Sequence, residues 1–133
     1  MPLHERDAKV VCKPWGRELW LVHESPHYAM KILEVQAGKR LSLQYHREKV
    51  ETSYVLSGRG RLILEDLQSQ TLQTLEIGPQ DYYSVVPPQR HRLEAVTDLR
   101  LLEVSTPHLD DVVRIEDDHQ RPDGHIASEH GGA

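Results

Sequence analysis

Three side chains with metal-binding atoms lie within eight positions of the chain. Gln44 and His46 are two residues apart, and Glu51 follows shortly after them. A histidine much further along the chain, His91, can complete the set. Imidazole and carboxylate groups suit Zn, Fe, Mn, Ni or Co, whereas an amide oxygen such as that of Gln44 is a harder and weaker ligand. These four residues predict a site for one divalent metal ion.

The composition of this ligand set indicates the kind of site. Two histidines, one carboxylate and one amide leave positions open on a five- or six-coordinate ion, and water or substrate can fill them. A structural zinc site, in contrast, is closed by four protein ligands. The set is therefore typical of a catalytic metal, provided that a sheet closes on itself and brings the distant His91 to the other three residues.

Short apolar runs separated by turn residues predict the strands that must position this site. The spacing of Gln44 and His46 places both on one face of a strand, because strand side chains alternate. We expect strands at 18–22, 28–35, 40–46, 51–57, 61–65, 72–77, 81–86, 91–96 and 99–105. Residues 110–118 fit a short strand or a helical turn equally well. Roughly nine or ten strands predict an all-β barrel or jelly roll.

Length, charge and apolar content narrow the class of protein. A chain of 133 residues suits one domain, and we expect a lead-in at 1–12, the domain at 13–118 and a flexible tail at 119–133. The net charge of −5 argues against nucleic acid or a membrane surface as partner, so a small molecule is expected. The chain has no membrane-spanning run, no signal-like start and one cysteine, which together predict a cytoplasmic protein.

The residues around the predicted metal site resemble the two sequence motifs of the cupin superfamily. The first motif is matched by Gly38, Gln44-x-His46, Glu51 and Gly58. The second motif is matched by Gly78, Pro87-Pro88 and His91. The resemblance implies a single-domain cupin, which is a double-stranded β-helix or jelly-roll barrel, with the metal held by the four residues named above.

Within the cupins, the chain is similar to the isomerase domain of type II phosphomannose isomerases, which are often fused to a mannose-1-phosphate guanylyltransferase. The shared motifs are Lys13-Pro14-Trp15-Gly16, Leu41-Ser42-Leu43-Gln44-x-His46, Val55-x-Ser57-Gly58, His91-Arg92-Leu93-Glu94, Leu102-Glu103-Val104 and Asp111-Val112-Val113-Arg114-Ile115-Glu116-Asp117. The Gln-x-His variant is typical of that subgroup. No nucleotidyltransferase precedes these motifs, so guanylyl transfer is not expected.

The resemblance implies reversible conversion of an aldose phosphate and a ketose phosphate through an enediol. Such a reaction needs a Lewis acid on the substrate oxygens and a base near the carbon. The arginine of the His-Arg-Leu-Glu motif is implicated in activity, which is Arg92 here, although strand alternation points it away from the face of His91. Glu103, in mid-strand between apolar residues, is a further candidate. Lys31 and Arg114 can each hold a phosphate or form a surface ion pair.

Two other functions remain open. His46, Glu51 and His91 also supply the two-histidine, one-carboxylate triad of a mononuclear iron dioxygenase. The turn at 87–90 lacks the usual glycine and no residue is a decisive base, which leaves room for a non-catalytic sugar-binding or regulatory cupin. We also expect a homodimer, because cupins of this size commonly pair through their sheets and the strand at 28–35 carries apolar residues on both faces.

Overall fold

The computed structural model describes residues 1–130, which form two antiparallel β-sheets around a shared interior. The strands are β1 (Lys9–Lys13), β2 (Gly16–Val22), β3 (Ala29–Val35), β4 (Leu43–Tyr45), β5 (Glu51–Ser57), β6 (Gly60–Glu65), β7 (Leu72–Ile77), β8 (Tyr82–Val85), β9 (His91–Ala95), β10 (Leu99–Ser105) and β11 (Val113–Glu116). A 3-10 turn at Glu5–Asp7 and a one-turn helix α1 at Ala127–His130 complete the description. The prediction of an all-β domain is confirmed. No helix within 1–130 has the length and apolar content to cross a membrane.

The strand order brings distant parts of the chain side by side. The first sheet runs β1-β2-β3-β10-β5-β8, and the second runs β11-β4-β9-β6-β7. Thus β10 lies between β3 and β5, and β4 lies between β11 and β9. Because the chain crosses repeatedly between the two sheets, interior side chains from its first and last thirds meet.

The interior is apolar towards one end and polar towards the other. Along β5 the inward residues change from Val55 to Ser53 and Glu51, and along β10 they change from Leu101 to Glu103. The apolar end is a cluster of buried side chains made by Trp15, Leu33, Val35, Val55, Leu62, Ile77, Leu93, Ala95, Leu99 and Leu101. Each large apolar side chain buried here stabilises the fold by about 1.5–3 kcal/mol. This cluster supports the sheets so that the other end can hold polar groups.

A row of polar residues crosses the first sheet at the polar end. Lys31 on β3 lies opposite Glu103 on β10, Glu103 lies opposite Ser53 on β5, and Ser53 lies opposite Tyr83 on β8. Directly opposed residues of antiparallel strands project from the same face of a sheet. Glu51 is two residues from Ser53 on β5 and therefore shares this face.

A second polar row crosses the other sheet. Arg114 on β11 lies opposite Gln44 on β4, and Gln44 lies opposite His91 on β9. His46 follows directly after β4 and is buried. The two sheets therefore direct polar side chains towards the same end of the interior.

Three elements differ from the sequence-based expectation. Strand β4 covers only Leu43–Tyr45, because residue Arg40 makes just an isolated bridge to Glu94 and the chain turns away after Tyr45. The lead-in expected at 1–12 ends in an edge strand, β1, which also includes Lys13. Residues 110–118, left open between strand and helical turn, contain strand β11.

Residues 119–130, which we call the C-terminal segment, lie against the sheets. The carboxylate of Glu129 pairs with Lys13 at 2.8 Å, and both side chains are largely buried. The ring of His130 packs edge-on against Trp20, with centroids 4.9 Å apart. The flexibility expected for the tail stays a prediction, and its last three residues lie outside the described part of the chain.

Two glycines that bracket the candidate ligands provide a test of the fold. Both have positive φ, but a Cβ on Gly58 (φ +88°) would lie 2.0 Å from the carbonyl oxygen of Asp98, whereas a Cβ on Gly38 (φ +80°) would meet no atom within 4 Å. We expect Gly38→Ala to lower the free energy of unfolding by about 1–2 kcal/mol, the cost of the left-handed backbone. Gly58→Ala should cost clearly more, because Asp98 must also move. Urea unfolding measures both, and equal losses would contradict the close approach.

Candidate metal centre

Three of the four predicted ligands converge at the polar end of the interior. Nε2 of His46 lies 3.3 Å from Oε1 of Glu51, and Nε2 of His91 lies 3.2 Å from the same oxygen. All three side chains are buried, and their candidate ligand atoms lie within 4.8 Å of one another. His46 follows β4, Glu51 begins β5 and His91 begins β9. The site thus draws on the ends of strands from both sheets.

The hydrogen bonds of the two histidines define which nitrogen faces the cluster. Nδ1 of His46 lies 2.6 Å from the carbonyl oxygen of Asp111, and Nδ1 of His91 lies 3.0 Å from the carbonyl oxygen of Gln89. A carbonyl oxygen only accepts, so each Nδ1 carries the hydrogen and donates it. In a neutral imidazole Nε2 then holds a lone pair, which is the usual arrangement of a metal-binding histidine.

These lone pairs provide a test of whether the residues fit a cation. Two Nε2 lone pairs and the Glu51 carboxylate point at one another over 3.2–3.3 Å in a buried site. Such a group of acceptors repels itself unless positive charge lies among them. Two imidazoles and a carboxylate are also a common ligand set for divalent transition metals. The donor set therefore fits a divalent ion.

Gln44 lies beside this cluster, but its amide nitrogen is nearer to His91 while its amide oxygen is bonded to Ser42. Its Nε2 is 3.5 Å from Nε2 of His91, while its Oε1 accepts a hydrogen bond from Oγ of Ser42 at 2.6 Å. Only the amide oxygen can bind a metal, so ligation requires a half-turn of the amide group. Gln44 as the fourth ligand stays a prediction.

The carboxylate of Asp111 holds the loop between His46 and Glu51. It accepts hydrogen bonds from the backbone N–H groups of three consecutive residues, at 2.7–3.1 Å: Arg47, Glu48 and Lys49. Burial favours the neutral carboxyl, but these N–H groups outweigh it and hold the pKa of Asp111 below its usual value. Since its backbone carbonyl also orients His46, Asp111 supports two of the candidate ligands. Sequence reasoning assigned it no role, and its place in the shared C-terminal motif was the only signal.

Lys49 belongs to the candidate site, and sequence reasoning missed it. Its buried Nζ lies 3.1 Å from Oε2 of Glu51 and 3.4 Å from Oε2 of Glu103. Burial opposes its charge, but the Glu103 and Glu51 carboxylates outweigh burial and raise the pKa of Lys49 above its usual value. The ammonium group therefore joins a candidate ligand to a candidate catalytic residue. Lys49 lies in a charged loop, where no periodic pattern of the sequence indicates that a side chain is buried.

Glu103 projects into the same buried region. Burial and the neighbouring Glu51 carboxylate raise the pKa of Glu103 to about 7, against the opposing effects of Lys49 and Lys31. Burial favours the neutral form of Glu51, but the Lys49 ammonium outweighs it and lowers the pKa of Glu51 well below its usual value. Two adjacent carboxyl groups thus differ in their affinity for a proton.

Lys31 lies inside the structure and not at a sheet edge. Its Nζ is 3.6 Å from Oε1 of Glu18 and 4.5 Å from the centre of the Trp20 ring. It lies next to Glu103 in the polar row of the first sheet. The structure therefore brings two of the three predicted catalytic side chains, Lys31 and Glu103, into one cavity.

Arg92 lies on the other face of β9, as strand alternation indicated. Its Nε donates to the carbonyl oxygen of Leu41 at 2.8 Å, and its Nη1 lies 3.5 Å from a carboxylate oxygen of Glu116 on β11. It is not among the residues that line the cavity. Arg92 therefore joins β9 to the connection before β4 and to β11, away from His91.

The turn before His91 delivers this residue to the cluster without the usual glycine. Gln89 is buried, and its amide donates to the carbonyl oxygen of Glu65 at 2.8 Å and accepts from the backbone N–H of Val86 at 3.2 Å. Its own carbonyl oxygen receives the hydrogen bond from His91. The side chain of Gln89 thus braces the altered turn.

A cavity of about 80 Å³ leads to the cluster. Its inner wall includes Gln44, His46, Lys49 and Glu103, and its outer wall includes parts of the C-terminal segment. Pockets for small organic ligands usually measure about 300–1,000 Å³. The cavity has room for only a few water molecules, each of which takes about 30 Å³.

Comparison with known sequences identifies one family. Residues 3–117 match the family model described as mannose-6-phosphate isomerase C-terminal. No curated protein matches the chain.

Comparison with solved structures shows a shared fold at low sequence identity. CapF with the inhibitor 3-isopropenyl-tropolone has a TM-score of 0.69 and 14% identity over 80% of this chain and 33% of its own. The formate complex of Lactobacillus farciminis oxalate decarboxylase has a TM-score of 0.71 and 18% identity over 85% of this chain and 35% of its own. Bacillus subtilis oxalate decarboxylase, studied for its Mn(II) centres, has a TM-score of 0.67 and 15% identity over 78% of this chain and 28% of its own. The chain thus spans about a third of the length of these structures.

Metal analysis of the purified protein tests the cluster directly. We expect about one divalent ion per chain, and Glu51→Gln should weaken binding by at least about 100-fold, because it removes the charged ligand from a buried site. Glu48→Gln is a matched control, since the exposed Glu48 side chain contacts His108 and not the cluster. Titration with Zn²⁺ and Mn²⁺ measures both variants. Unchanged binding in Glu51→Gln would refute the site.

Proposed function

Because the chain belongs to the mannose-6-phosphate isomerase C-terminal family, we propose that it is a metal-dependent isomerase that interconverts an aldose phosphate and a ketose phosphate of the mannose 6-phosphate type. Its fold is that of a single-domain cupin. The observation that carries the proposal is the convergence of His46, Glu51 and His91 beside a cavity that contains a further carboxylate, Glu103.

The proposed ligands are His46, Glu51 and His91, with Gln44 as the fourth after its amide has turned. A divalent ion held there would supply the Lewis acidity that polarises the carbonyl and hydroxyl oxygens of the substrate. Mn is supported by the Mn(II) centres of the Bacillus subtilis structure, and Zn, Fe, Ni and Co suit the same ligands.

Glu103 is the residue we assign to proton transfer. An aldose–ketose isomerisation moves a proton from one carbon to its neighbour, so one group must accept it and return it. Glu103 lines the cavity and is not itself a proposed ligand, and it lies beside the proposed ligand Glu51. Glu18 also lines the cavity, but its carboxylate is paired with Lys31. Lys49 holds both carboxylates in place through its ammonium group.

Lys31 and Arg92 receive different roles. Lys31 faces the cavity and is proposed to contact substrate oxygens, because its ammonium lies in the polar row beside Glu103. Arg92 contacts β11 through Glu116 and is proposed as a positioning residue that holds this strand against β4. Its link to activity in the resembling isomerases then passes through β11 and not through the substrate.

Substrate access requires the C-terminal segment to move. The cavity of about 80 Å³ is too small for a hexose phosphate, and its outer wall includes Arg121, Gly124, His125 and His130 of this segment. Side-chain contacts such as that of Glu129 with Lys13 attach the segment, whereas the inner walls are hydrogen-bonded strands. We propose that these contacts open when substrate enters.

A mononuclear iron dioxygenase is the second candidate function, and the His46–Glu51–His91 triad favours it. A sugar-binding or regulatory cupin without catalysis is the third. The substrate of each is a small molecule, but only the dioxygenase consumes oxygen. Anaerobic turnover of a sugar phosphate therefore excludes the second function, and binding without turnover supports the third.

We also propose a cytoplasmic homodimer. The outer face of the first sheet carries exposed apolar side chains on adjacent strands, where Tyr54 on β5 lies opposite Tyr82 on β8 and near Val104 on β10. Exposed apolar side chains clustered in this way are typical of a protein–protein contact. A second copy presenting the same face would cover them in an isologous interface.

The isomerase proposal is tested by following mannose 6-phosphate and fructose 6-phosphate without oxygen. We expect turnover by the metal-loaded protein, and a loss of about 10²–10⁴-fold in kcat for Glu103→Gln, because the amide cannot accept the proton. The variant should retain its metal, which direct metal analysis checks. Glu76→Gln, at an exposed position on β7 outside the cavity, is the control. Full activity in Glu103→Gln would refute the assigned role.

The homodimer is tested by sedimentation of the wild type and of Tyr54→Asp. We expect the wild type to sediment as a dimer and the variant as a monomer, because a buried, unpaired carboxylate in the interface costs several kcal/mol. Leu72→Asp, at an exposed position on the second sheet, should leave the dimer unchanged. A monomeric wild type would contradict the proposal.

A further inference from the structure

Arg114 differs from the other lysine and arginine side chains that line the cavity. Lys31 and Lys49 are paired with carboxylates, as is Arg121, which lies 2.8 Å from Asp117. Within residues 1–130, the guanidinium of Arg114 makes no ion pair. The surface ion pair that was one expectation for this residue is therefore not formed in the described structure.

The hydrogen bonds of Arg114 leave one edge of its guanidinium free. Nη1 donates to the carbonyl oxygens of Pro122 and Gly124, the latter at 3.1 Å. Nε is buried and has no hydrogen-bond partner in the described part of the chain, and no hydrogen bond joins Nη2 to a residue in it. The Nε–Nη2 edge is the edge with which arginine binds an oxyanion through two parallel hydrogen bonds.

The position of Arg114 in the sheet places its side chain on the interior face, where it lines the same cavity as Gln44 and His46. Arg114 lies opposite Gln44, and Gln44 lies opposite His91, so all three side chains share the interior face. Two strand spacings separate the backbones of Arg114 and His91, which corresponds to about 10 Å. One small molecule can therefore reach the cluster with one end and Arg114 with the other.

The surroundings of Arg114 favour a bound anion. Burial and the neighbouring Arg121 guanidinium lower the pKa of Arg114 from its usual value, against the opposing effects of Asp117, Glu129 and Asp123. A guanidinium that is half-buried, close to a second one and without a paired carboxylate is stabilised by an anion that enters beside it.

We propose that the Nε–Nη2 edge of Arg114 is an oxyanion subsite that binds the phosphate group of the substrate. The carbonyl oxygens of Pro122 and Gly124 orient the guanidinium by accepting from Nη1. The identity of the phosphate as that of a sugar phosphate rests on the proposed function, whereas the oxyanion subsite itself does not.

Calorimetry on the metal-loaded full chain tests this subsite with three probes: inorganic phosphate, mannose 6-phosphate and unphosphorylated mannose. We expect Arg114→Gln to weaken binding of both phosphate probes by about 10- to 100-fold, because it removes a charge-assisted double hydrogen bond. Arg114→Lys should give an intermediate loss, since it keeps the charge and lacks the fork. Mannose binding and metal content should not change. Arg61→Gln, with the same charge change at an exposed position outside the cavity, is the control.

The outcomes separate the subsite from the isomerase. Wild-type protein that binds no phosphate, or Arg114→Gln that binds it as the wild type does, overturns the subsite even if sugar phosphates are isomerised. Equal weakening for mannose and phosphate also overturns it. Protein that isomerises no sugar phosphate but loses phosphate binding in Arg114→Gln supports the subsite and refutes the isomerase. Thermal unfolding verifies that each variant is folded. If Arg114→Gln does not fold, the loss of phosphate binding in Arg114→Lys tests the subsite instead.

Discussion

Two imidazole nitrogens and one carboxylate oxygen meet in the interior at distances of 3.2–3.3 Å. The Nδ1–H group of each imidazole donates to a backbone carbonyl oxygen, so in the neutral rings the Nε2 lone pairs face the carboxylate of Glu51. This concentration of acceptors is unfavourable in a buried site without positive charge. Lys49 supplies part of that charge from one side of Glu51, and a divalent ion would supply the rest.

The fold can hold this polar group because its interior is divided. Apolar side chains fill one end between the sheets and contribute most of the burial energy. At the other end, the costs of burying Lys31, Lys49, Glu51 and Glu103 are offset by pairing them with one another or with nearby residues. Removing one partner from such a set leaves its neighbour unpaired, so the set behaves as a unit.

The local sequence pattern was sufficient to predict the bounds of a strand where one face of that strand is buried and the strand pairs over its whole length. The predicted bounds at 51–57 and 99–105 agree with β5 and β10, whose residues alternate between buried and more exposed positions. The bounds at 72–77 also agree with β7, although this edge strand is exposed except at Ile77. The alternation of Gln44 and His46 likewise placed both beside the cluster. His91 was a candidate only as a distant histidine that could complete the set, and the resemblance to cupins then supported it, because no local pattern connects it with the other residues.

Residues whose partners lie far away in the chain could not be assigned from local pattern. Asp111 accepts hydrogen bonds from backbone groups more than sixty positions earlier, and this depends on β11 pairing with β4. Lys49 looks like one more charge in a loop until β10 brings Glu103 next to it. The same pairing of β11 with β4 places Arg114 on the interior face. A divalent ion at the cluster and a phosphate at Arg114, both of them proposed, would carry opposite charges in one small cavity, so each would favour binding of the other. The pairing of these two strands would thereby couple the proposed metal centre to recognition of an anionic substrate.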